Sequence, residues 1–518
     1  MGEADLLQDE VLAFLGRPQT YDPLPATVER VDTHASSVFL AGSFAYKVKR
    51  AVKYPFLDFS TLDKRRAACL NELRINTRTA PQLYLEVVPI TAGDDGALSL
   101  GGKGEVVEWV LRMRRFDQSK LYDRMASEGR LGLEAMKPLA EIIAAFHDSA
   151  DRVLTADQSV RPLELVLLDN EGAFAANPEV IPPQAAGELA RASREVLAAL
   201  APLLRGRARG GYVRHCHGDL HLRNIVEIDG APVLFDAIEF DDSLATVDVL
   251  YDLAFLLMDL GKRGLGVHAN AVLNAYLDHD GSTGNLVGLA ALKLFLSMRA
   301  TIRAKVELLR AGTIAGIEAV AARDEGRAYF DLAGKFLARR CPRLVAIGGL
   351  SGSGKSAVSR AIAPQISAFP GAVHVRSDIA RKRLFGVDFA EKLPDVAYAP
   401  HVSDLVYAAC RKRAKLALEA GQAVIVDAVH ARPEERQALV ILAKNLGVPF
   451  TGLWLEAPRE MMRERIASRQ GDVSDATIAV VDQQLSYDLG AQSFAVIDAS
   501  LPFEQVVASC LARIGATP

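Results

Sequence analysis

The sequence has 518 residues, of which 50% are hydrophobic and 24% are charged. This composition is that of a globular protein, and it excludes a disordered chain, a fibre and a small disulfide scaffold. At about 100 to 200 residues per domain, the length predicts about three domains. The 60 basic and 64 acidic side chains give a formal net charge of −4 without blocks of like charge, so neither a nucleic acid nor a lipid surface is an expected partner.

The five cysteines are scattered and form no C-x-x-C pair, which fits neither a disulfide framework nor a zinc site and predicts a reducing, cytoplasmic environment. The acidic N-terminus, MGEADLLQDEV, lacks the pattern of a signal peptide. The most apolar runs are interrupted by Asp or Lys well before 18 residues. We therefore expect a cytoplasmic protein that is neither exported nor membrane-spanning.

Three regions of different periodicity follow one another along the chain. Residues 30–115 alternate apolar and polar side chains in runs that predict antiparallel strands: SSVFLAG, FAYKVKR, LYLEVVPI and EVVEWVLRMRR. One helical segment, LDKRRAACLNELRINTRTA, interrupts them. Residues 132–340 are mainly helical, apart from two strand-like runs around a DG turn in HGDLHLRNIVEIDGAPVLFDAIEF.

A new pattern starts after Pro342, where short buried-strand runs alternate with helical segments. This alternation predicts a parallel sheet covered by helices on both faces. The predicted fold is thus an α+β domain, with an antiparallel sheet in a lobe of residues 1–115 and a helical lobe of residues 116–341. An α/β domain of residues 342–518 follows.

The motif HGDLHLRN fits the pattern H-x-D-x-x-x-x-N of phosphoryl-transfer enzymes. In that chemistry, Asp219 accepts the proton of the attacking hydroxyl and Asn224 is a ligand of Mg²⁺. Twelve residues beyond Asn224, the run LFDAIEF presents Asp236 as a second metal ligand. HGD alone is a weak signal, but the full set at this spacing predicts a kinase site.

The upstream sheet should then hold ATP. We expect Lys47 to contact its α and β phosphates, with Lys49 on the same strand face as the alternative. Glu72 in the predicted helix is the expected ion-pair partner of that lysine. For each of these residues, a solvated surface position is the competing interpretation.

Residues from about 25 to 330 resemble the aminoglycoside phosphotransferase and choline kinase superfamily, small-molecule relatives of the bilobal protein kinases. HGDLHLRN and FDAIE carry the resemblance. It implies a base at Asp219, metal ligands at Asn224 and Asp236, and adenine against the backbone near Met113, in a hinge between two lobes. An acidic run follows the site and either attracts a cationic substrate or caps the next helix: Glu239, Asp241, Asp242, Asp248 and Asp252.

The segment GLSGSGKS fits the phosphate-binding pattern G-x-x-x-x-G-K-[ST] between a predicted strand and a predicted helix. In this loop, backbone N–H groups and the helix N-terminus bind phosphate, Lys355 reaches the β and γ phosphates, and Ser356 is a ligand of Mg²⁺. A glycine-rich turn without a ligand is the competing interpretation. The expected nucleotide-binding residues are Gly349, Ser351, Gly352, Ser353, Gly354, Lys355 and Ser356.

Further candidates lie beyond the loop. Asp378 and Arg381 follow the next strand, where a carboxylate can act as base and an arginine can hold an anion, although Asp378 alternatively serves as an N-cap. Asp427 closes the strand QAVIVD, at the place of a carboxylate that holds Mg²⁺ through water. Arg465 and Arg469 lie four residues apart, suited to a lid that closes on phosphates or to a solvated basic face.

Residues 342–518 resemble the small P-loop kinases typified by zeta toxins, polynucleotide 5′-kinases and gluconate kinases, through the S-D-x-x-R element of Ser377, Asp378 and Arg381. The whole chain is similar to bacterial tandem proteins that join an aminoglycoside phosphotransferase-like domain to a zeta-toxin-like kinase domain. The resemblance implies two ATP- and Mg²⁺-dependent kinases acting on the hydroxyl of a small molecule, such as a sugar, an aminoglycoside-like compound or a nucleotide-sugar.

Two other functions fit the same motifs. In the first alternative, one half is the active kinase and the other half is a nucleotide sensor that regulates it. In the second alternative, the C-terminal half is a nucleic-acid end kinase. The sequence shows no broad basic stripe for a nucleic acid, which disfavours the last alternative.

Overall fold

The computed structural model describes residues 3–54, 57–155, 159–338, 341–468 and 473–515. Internal contacts divide the chain into two units. The first comprises Met1–Ala135, Ala145–Val153 and Gly211–Asp252, and the second comprises Met136–Ala144, Leu154–Gly210 and Leu253–Pro518. The domain boundaries after residues 115 and 341 stay a prediction.

The first unit contains an antiparallel sheet of six strands. In chain order, the elements up to residue 135 are α1 (Glu3–Leu15), β1 (Val28–Asp32), β2 (Ser36–Ala41), β3 (Phe44–Lys49), β4 (Lys53–Tyr54), β5 (Leu57–Asp58), α2 (Leu62–Asn76), β6 (Tyr84–Ala92), β7 (Leu98–Leu100), β8 (Glu105–Arg114) and α3 (Tyr122–Ser127). The order in the sheet is β1-β2-β3-β8-β6-β7. The four predicted strands and the predicted helix are confirmed. The sequence did not predict α1, β1, β4, β5, β7 or α3.

Alternation along the strands gives this sheet two buried faces. Phe39 and Val48 pack on one face with residues of α1, including Val11. Ala45 packs on the other face with Leu111. Because Lys47 and Lys49 are in phase with Ala45 along β3, they lie on that second face.

The middle of the chain combines helices with short antiparallel strand pairs. Its elements are α4 (Met136–Ser149), α5 (Arg161–Ala175), α6 (Pro183–Arg209), β9 (Val213–His215), β10 (Ile225–Ile228), β11 (Ala231–Leu234), α7 (Asp242–Ala245), β12 (Thr246–Asp248), α8 (Val249–Lys262), α9 (Gly266–Asp280), α10 (Thr283–Gly288), α11 (Leu292–Ala311) and α12 (Gly316–Leu337). Strands β10 and β11 form the predicted hairpin, whose turn residues Asp229 and Gly230 both have positive φ.

One helical stretch, Thr283–Ala311, is long and apolar enough to cross a membrane by length and composition alone. Within the structure, 78% of its most apolar window is buried, as in a core helix of a globular domain.

The C-terminal region is a parallel sheet of five strands in the order β14-β15-β13-β16-β17. Its elements are β13 (Leu344–Gly348), α13 (Lys355–Ile362), β14 (Val373–Arg376), α14 (Ser377–Phe385), α15 (Pro400–Glu419), β15 (Val424–Asp427), α16 (Pro433–Leu446), β16 (Phe450–Glu456), α17 (Arg459–Ala467), α18 (Ile478–Gln484), β17 (Ala495–Asp498) and α19 (Phe503–Ile514). The predicted fold classes of both parts are confirmed: an antiparallel sheet with helices, followed by a parallel sheet covered by helices.

Candidate active sites

Two lysines of strand β3 share one buried carboxylate in the first unit. Lys47 Nζ lies 2.7 Å from Glu72 Oε1, and Lys49 Nζ lies 2.6 Å from Glu72 Oε2. Burial alone would raise the pKa of Glu72, but the two ammonium groups outweigh it and lower this pKa to about 2. Glu72 is therefore an anion at neutral pH, and it fixes both lysines.

Each lysine also contacts a second carboxylate. Lys47 Nζ lies 3.2 Å from Asp236 Oδ1, and Lys49 Nζ lies 2.7 Å from Glu239 Oε1. Lys47 is thus the lysine in direct contact with the predicted metal ligand Asp236. Burial disfavours the charge of Lys47, but Asp236 and Glu72 outweigh it and raise its pKa.

The predicted catalytic loop brings Asp219, Asn224 and Asp236 together. Asn224 Nδ2 donates to Asp219 Oδ2 at 2.9 Å and to the main-chain oxygen of Asp219 at 3.0 Å. It also lies 3.5 Å from the main-chain oxygen of Asp236. The Asp236 backbone has a φ of 59° and donates its N–H to Tyr84 Oη at 3.1 Å. The Asn224 side chain therefore joins the Asp219 carboxylate to the backbone of Asp236.

Asp252 binds the backbone of this loop at the two residues that precede Asp219. Its fully buried carboxylate accepts hydrogen bonds from the N–H of Gly218 at 2.8 Å and the N–H of His217 at 3.2 Å. It also lies 3.1 Å from His147 Nε2. Gly218 has a φ of 81°, and a Cβ there would lie 3.0 Å from the Ile238 side chain, so the sharp turn before Asp219 requires glycine.

The rest of the acidic run has mixed roles. Asp241 caps α7 by accepting from Ser243 N, and Asp248 accepts from Leu250 N in the first turn of α8, which confirms the predicted capping at these two positions. Glu239 pairs with Lys49, and Asp242 lies 3.3 Å from His215 Nε2.

Met113, predicted to lie near adenine, belongs to the apolar cluster on the lysine-bearing face of the sheet. It pairs with Ala45 of β3 and Tyr84 of β6 in the register of the strands. Leu40 belongs to the same cluster. The position of adenine stays a prediction.

In the C-terminal sheet, the predicted phosphate loop connects β13 to α13. Gly349, Gly352 and Gly354 all have positive φ values, of 139°, 85° and 96°. A Cβ at Gly352 would lie 2.5 Å from the main-chain oxygen of Met462, so only glycine lets the loop approach α17 this closely. The loop also donates the N–H of Ser351 to Gln484 Oε1 at 2.7 Å.

The side chains that end this loop contact the predicted metal carboxylate. Ser356 Oγ donates to Asp427 Oδ2 at 2.7 Å, and His374 Nε2 lies 3.1 Å from the same oxygen. Burial opposes the charge of Asp427, but the hydrogen bond and charge of His374 outweigh it and lower its pKa. Lys355 Nζ donates to the main-chain oxygen of Leu350 at 3.0 Å.

A small cavity joins these groups to the predicted base. Asp378 lines it together with Lys355, Ser356 and Asp427. Among the described residues, the arginine that lines this cavity is Arg376, which the sequence analysis did not predict as a site residue. Among the other described residues that line it are Ser351, Gly354, Ser377, Val429 and Ser474.

Arg381, predicted to hold an anion, does not line this cavity. Its guanidinium donates to the main-chain oxygen of Ala397 and to Ser403 Oγ, and it lies over the ring of Tyr398 at 4.9 Å. These contacts hold it against the segment that follows α14.

Arg465 lines a second cavity, of about 410 Å³, on the α19 side of the loop. It donates to the main-chain oxygens of Ser353 at 3.3 Å and Ala499 at 3.0 Å. Leu501, Phe503 and Val506 make the far wall of this cavity apolar. Arg469, the other predicted lid arginine, lies outside the described residues.

The donor atoms of both sites fit Mg²⁺, which prefers oxygen ligands. In the first site, the Asn224 amide lies beside the Asp219 carboxylate and the main-chain oxygen of Asp236. In the second site, the Ser356 hydroxyl lies beside the Asp427 carboxylate. The hydroxyl and carboxylate of the second pair are already within 2.7 Å of each other.

Both parts of the chain are similar to known protein families. Residues 57–292 match the model of the phosphotransferase enzyme family, and residues 344–488 match a model described as an AAA domain. Uncharacterized proteins of Mycobacterium tuberculosis and Mycobacterium bovis are each 29% identical over 507 residues, which cover 94% of this chain and 96% of theirs.

Solved structures similar to parts of the chain include the following two. A choline/ethanolamine kinase family protein from Mesorhizobium loti is 15% identical and covers 64% of this chain and 99% of its own, with a TM-score of 0.38. A gluconokinase from Sinorhizobium meliloti is 23% identical and covers 34% of this chain and 94% of its own, with a TM-score of 0.25.

Proposed function

We propose, from the premise that this chain joins a phosphotransferase-family domain to a P-loop kinase-like domain, that it is a bifunctional ATP-dependent kinase. The matches to the two families support a phosphotransferase of the kinase type. The finer proposal is that each half transfers the γ-phosphoryl group of ATP to a hydroxyl of a small molecule. The cytoplasm, where ATP and Mg²⁺ are abundant, is its proposed location.

The observation that carries the proposal is that each half has its own lysine beside its own set of oxygen ligands. In the first half, Lys47 lies 3.2 Å from Asp236, and Asn224 bonds Asp219. In the second half, Ser356 bonds Asp427. Because each half has its own lysine and its own oxygen ligands, two active kinase sites are better supported than one active site and one nucleotide sensor.

In the first site, Asp219 is the proposed base. Its carboxylate takes the proton of the acceptor hydroxyl, the hydroxyl oxygen forms a bond to the γ-phosphorus, and the bond from this phosphorus to the β–γ bridging oxygen breaks to release ADP. Lys47 is the proposed contact to the α and β phosphates, held in place by Glu72. Mg²⁺, when bound by Asn224 and Asp236, neutralises phosphate charge.

In the second site, Asp378 is the proposed base for the same exchange of bonds. The phosphate loop and Lys355 hold the triphosphate, and Ser356 and Asp427 are the proposed Mg²⁺ ligands. Arg465 and the apolar wall of the larger cavity suit the adenosine. Arg376 is better placed than Arg381 to hold an anion, because it lines the cavity of Lys355 and Asp378.

Transfer from γ-labelled ATP to a panel of sugars, sugar alcohols, aminoglycosides and nucleotide-sugars tests the proposal in the full chain. Asp219→Ala should lower transfer to one acceptor about 10²- to 10⁴-fold while ATP still binds. Lys355→Ala should abolish nucleotide binding by the second site and transfer to the other acceptor.

Asp94→Ala and Lys444→Ala are matched controls, because both remove exposed charges. If both site variants keep full activity, the assignment is wrong. If one half binds ATP but forms no ADP with any acceptor, that half is a sensor.

A further inference from the structure

Helix α9 lies against the edge strand of the P-loop sheet, within the second unit. Strand β14 pairs with β15 on one side only, so its other side has no strand partner among the described residues. Such an edge exposes backbone N–H and C=O groups unless another element covers it. Two asparagines one turn apart on α9, Asn270 and Asn274, bond this edge.

The hydrogen bonds reach the backbone of the first half of β14 and of the segment just before it. Asn274 Oδ1 accepts from His374 N at 2.7 Å, and Asn274 Nδ2 donates to the oxygen of Ala372 at 3.2 Å. Asn270 Nδ2 donates to the same oxygen at 3.0 Å and to the oxygen of Pro370 at 2.8 Å. The two asparagines therefore bind the backbone at the start of the edge strand, where a neighbouring strand would otherwise pair.

The bonded strand carries groups of the candidate second site. His374, whose N–H is held by Asn274, bonds Asp427 through its ring. Arg376 ends the strand and lines the phosphate cavity. Asp378 follows in the first turn of α14. A displacement of β14 along its axis would move all three together.

The C-terminal end of α9 binds the neighbouring helices as well. Arg383 of α14 and Arg413 of α15 each donate to the main-chain oxygen of Leu277 at 3.2 Å. Arg383 also donates to the main-chain oxygen of Asp278. Guanidinium groups are favoured at helix C-termini, where the last carbonyl groups have no helical partner. Helix α9 thus holds both β14 and the helix that carries Asp378.

We propose that Asn270 and Asn274 are positioning residues of the P-loop kinase site, supplied by the helical part of the chain. The proposal rests on the proposed function of that half. It extends the site beyond residues 344–488, because α9 lies inside the region that matches the phosphotransferase enzyme family. The P-loop half accordingly needs α9 for full activity.

The test compares Asn274→Ala and Asn270→Ala in the full chain. Hydrogen exchange of the peptide covering residues 373–385 should be faster in both variants than in the wild type. Binding of a fluorescent ATP analogue by the P-loop half is measured as the part of the signal that Lys355→Ala removes. The Mg²⁺ concentration that gives half of this binding should rise about ten-fold in both asparagine variants. Analogue binding without Mg²⁺ should stay within two-fold of the wild type.

Asn170→Ala is the matched control. Asn170 is buried like Asn270 and donates to Thr301 Oγ1 at 2.9 Å, between α5 and α11. A general loss of stability on removal of a hydrogen-bonded asparagine would affect all three variants, whereas the proposal expects the control to keep the wild-type Mg²⁺ midpoint and exchange rate.

Unchanged exchange in residues 373–385, or an Asn170→Ala effect equal to that of Asn274→Ala, would overturn the proposal. So would an unchanged Mg²⁺ midpoint in both asparagine variants. If Lys355→Ala leaves analogue binding intact, the proposed function of this half has failed, and the exchange measurement still decides whether α9 holds the strand.

Discussion

Replacement of Glu72 by glutamine tests the ion network of the first candidate site. The carboxylate is fully buried and holds Lys47 and Lys49 at 2.7 and 2.6 Å. Breaking a buried ion pair by removing one partner costs about 3–5 kcal/mol. The lowered pKa of Glu72 has the same sign, because the two ammonium groups favour its charged form in the folded protein. We therefore expect Glu72→Gln to lower the free energy of unfolding by about 3 kcal/mol at pH 7.

The effect has a defined pH dependence. Since the pKa of Glu72 is lower in the folded than in the unfolded state, its stabilisation is fully present above about pH 4.5 and is lost as the pH falls toward about pH 2. The difference in stability between the wild type and Glu72→Gln should accordingly shrink over this acidic window. It should stay constant between about pH 6 and about pH 8.

The two tryptophans of the chain make the measurement specific to the first unit. Trp109 lies in β8 and Trp454 lies in β16, so a Trp454→Phe background leaves Trp109 as the only tryptophan. Urea unfolding followed by Trp109 fluorescence then gives the free energy of unfolding. Glu86→Gln is the control, because its pair with Arg112 is exposed and should contribute less than about 1 kcal/mol. A loss below about 1 kcal/mol for Glu72→Gln, or a loss that persists unchanged at about pH 2, would refute the reasoning.

Two further substitutions probe the loops. Gly352→Ala should weaken binding of a fluorescent ATP analogue by the P-loop half at least about ten-fold, because its Cβ would meet the backbone of α17. Gly334→Ala is the control, because the space around its Cβ is open. Equal binding by the two variants would contradict the argument. Asp252→Asn should lower kcat of the first site about 10- to 100-fold, since the loop before Asp219 loses a charged acceptor for Gly218 N. The KM for ATP should change less than two-fold in steady-state kinetics; a higher KM at unchanged kcat would contradict this role.

The sequence predicts the local part of both sites well. Asp219 and Asn224 lie on one loop, and the hairpin that leads to Asp236 is short, so their spacing alone constrains where they meet. The phosphate loop is equally local, because a strand, a glycine-rich turn and a helix follow one another from 344 to 362. Such short-range geometry depends on backbone conformation, which glycines and turn residues encode directly.

The parts that sequence reasoning missed depend on contacts between distant positions. Asp252 could be predicted only as an acidic residue near a helix start, although it orients a loop more than thirty residues earlier in the chain. Gln484 reaches Ser351 across 133 positions, and no motif signals that contact. For Arg381, the motif predicts the position on α14 correctly but does not predict the direction of the side chain. Its guanidinium donates to the carbonyl of Ala397, sixteen residues further along the chain.

The asparagine bonds of α9 also bear on the solubility of the C-terminal sheet. Without that helix, the free side of β14 would offer unpaired backbone groups to any extended chain nearby, which is the usual start of edge-to-edge aggregation. Asn270 and Asn274 block that edge with side chains that cannot propagate a strand. Severing the chain before residue 341 would thus produce a fragment whose exposed sheet edge is prone to self-association.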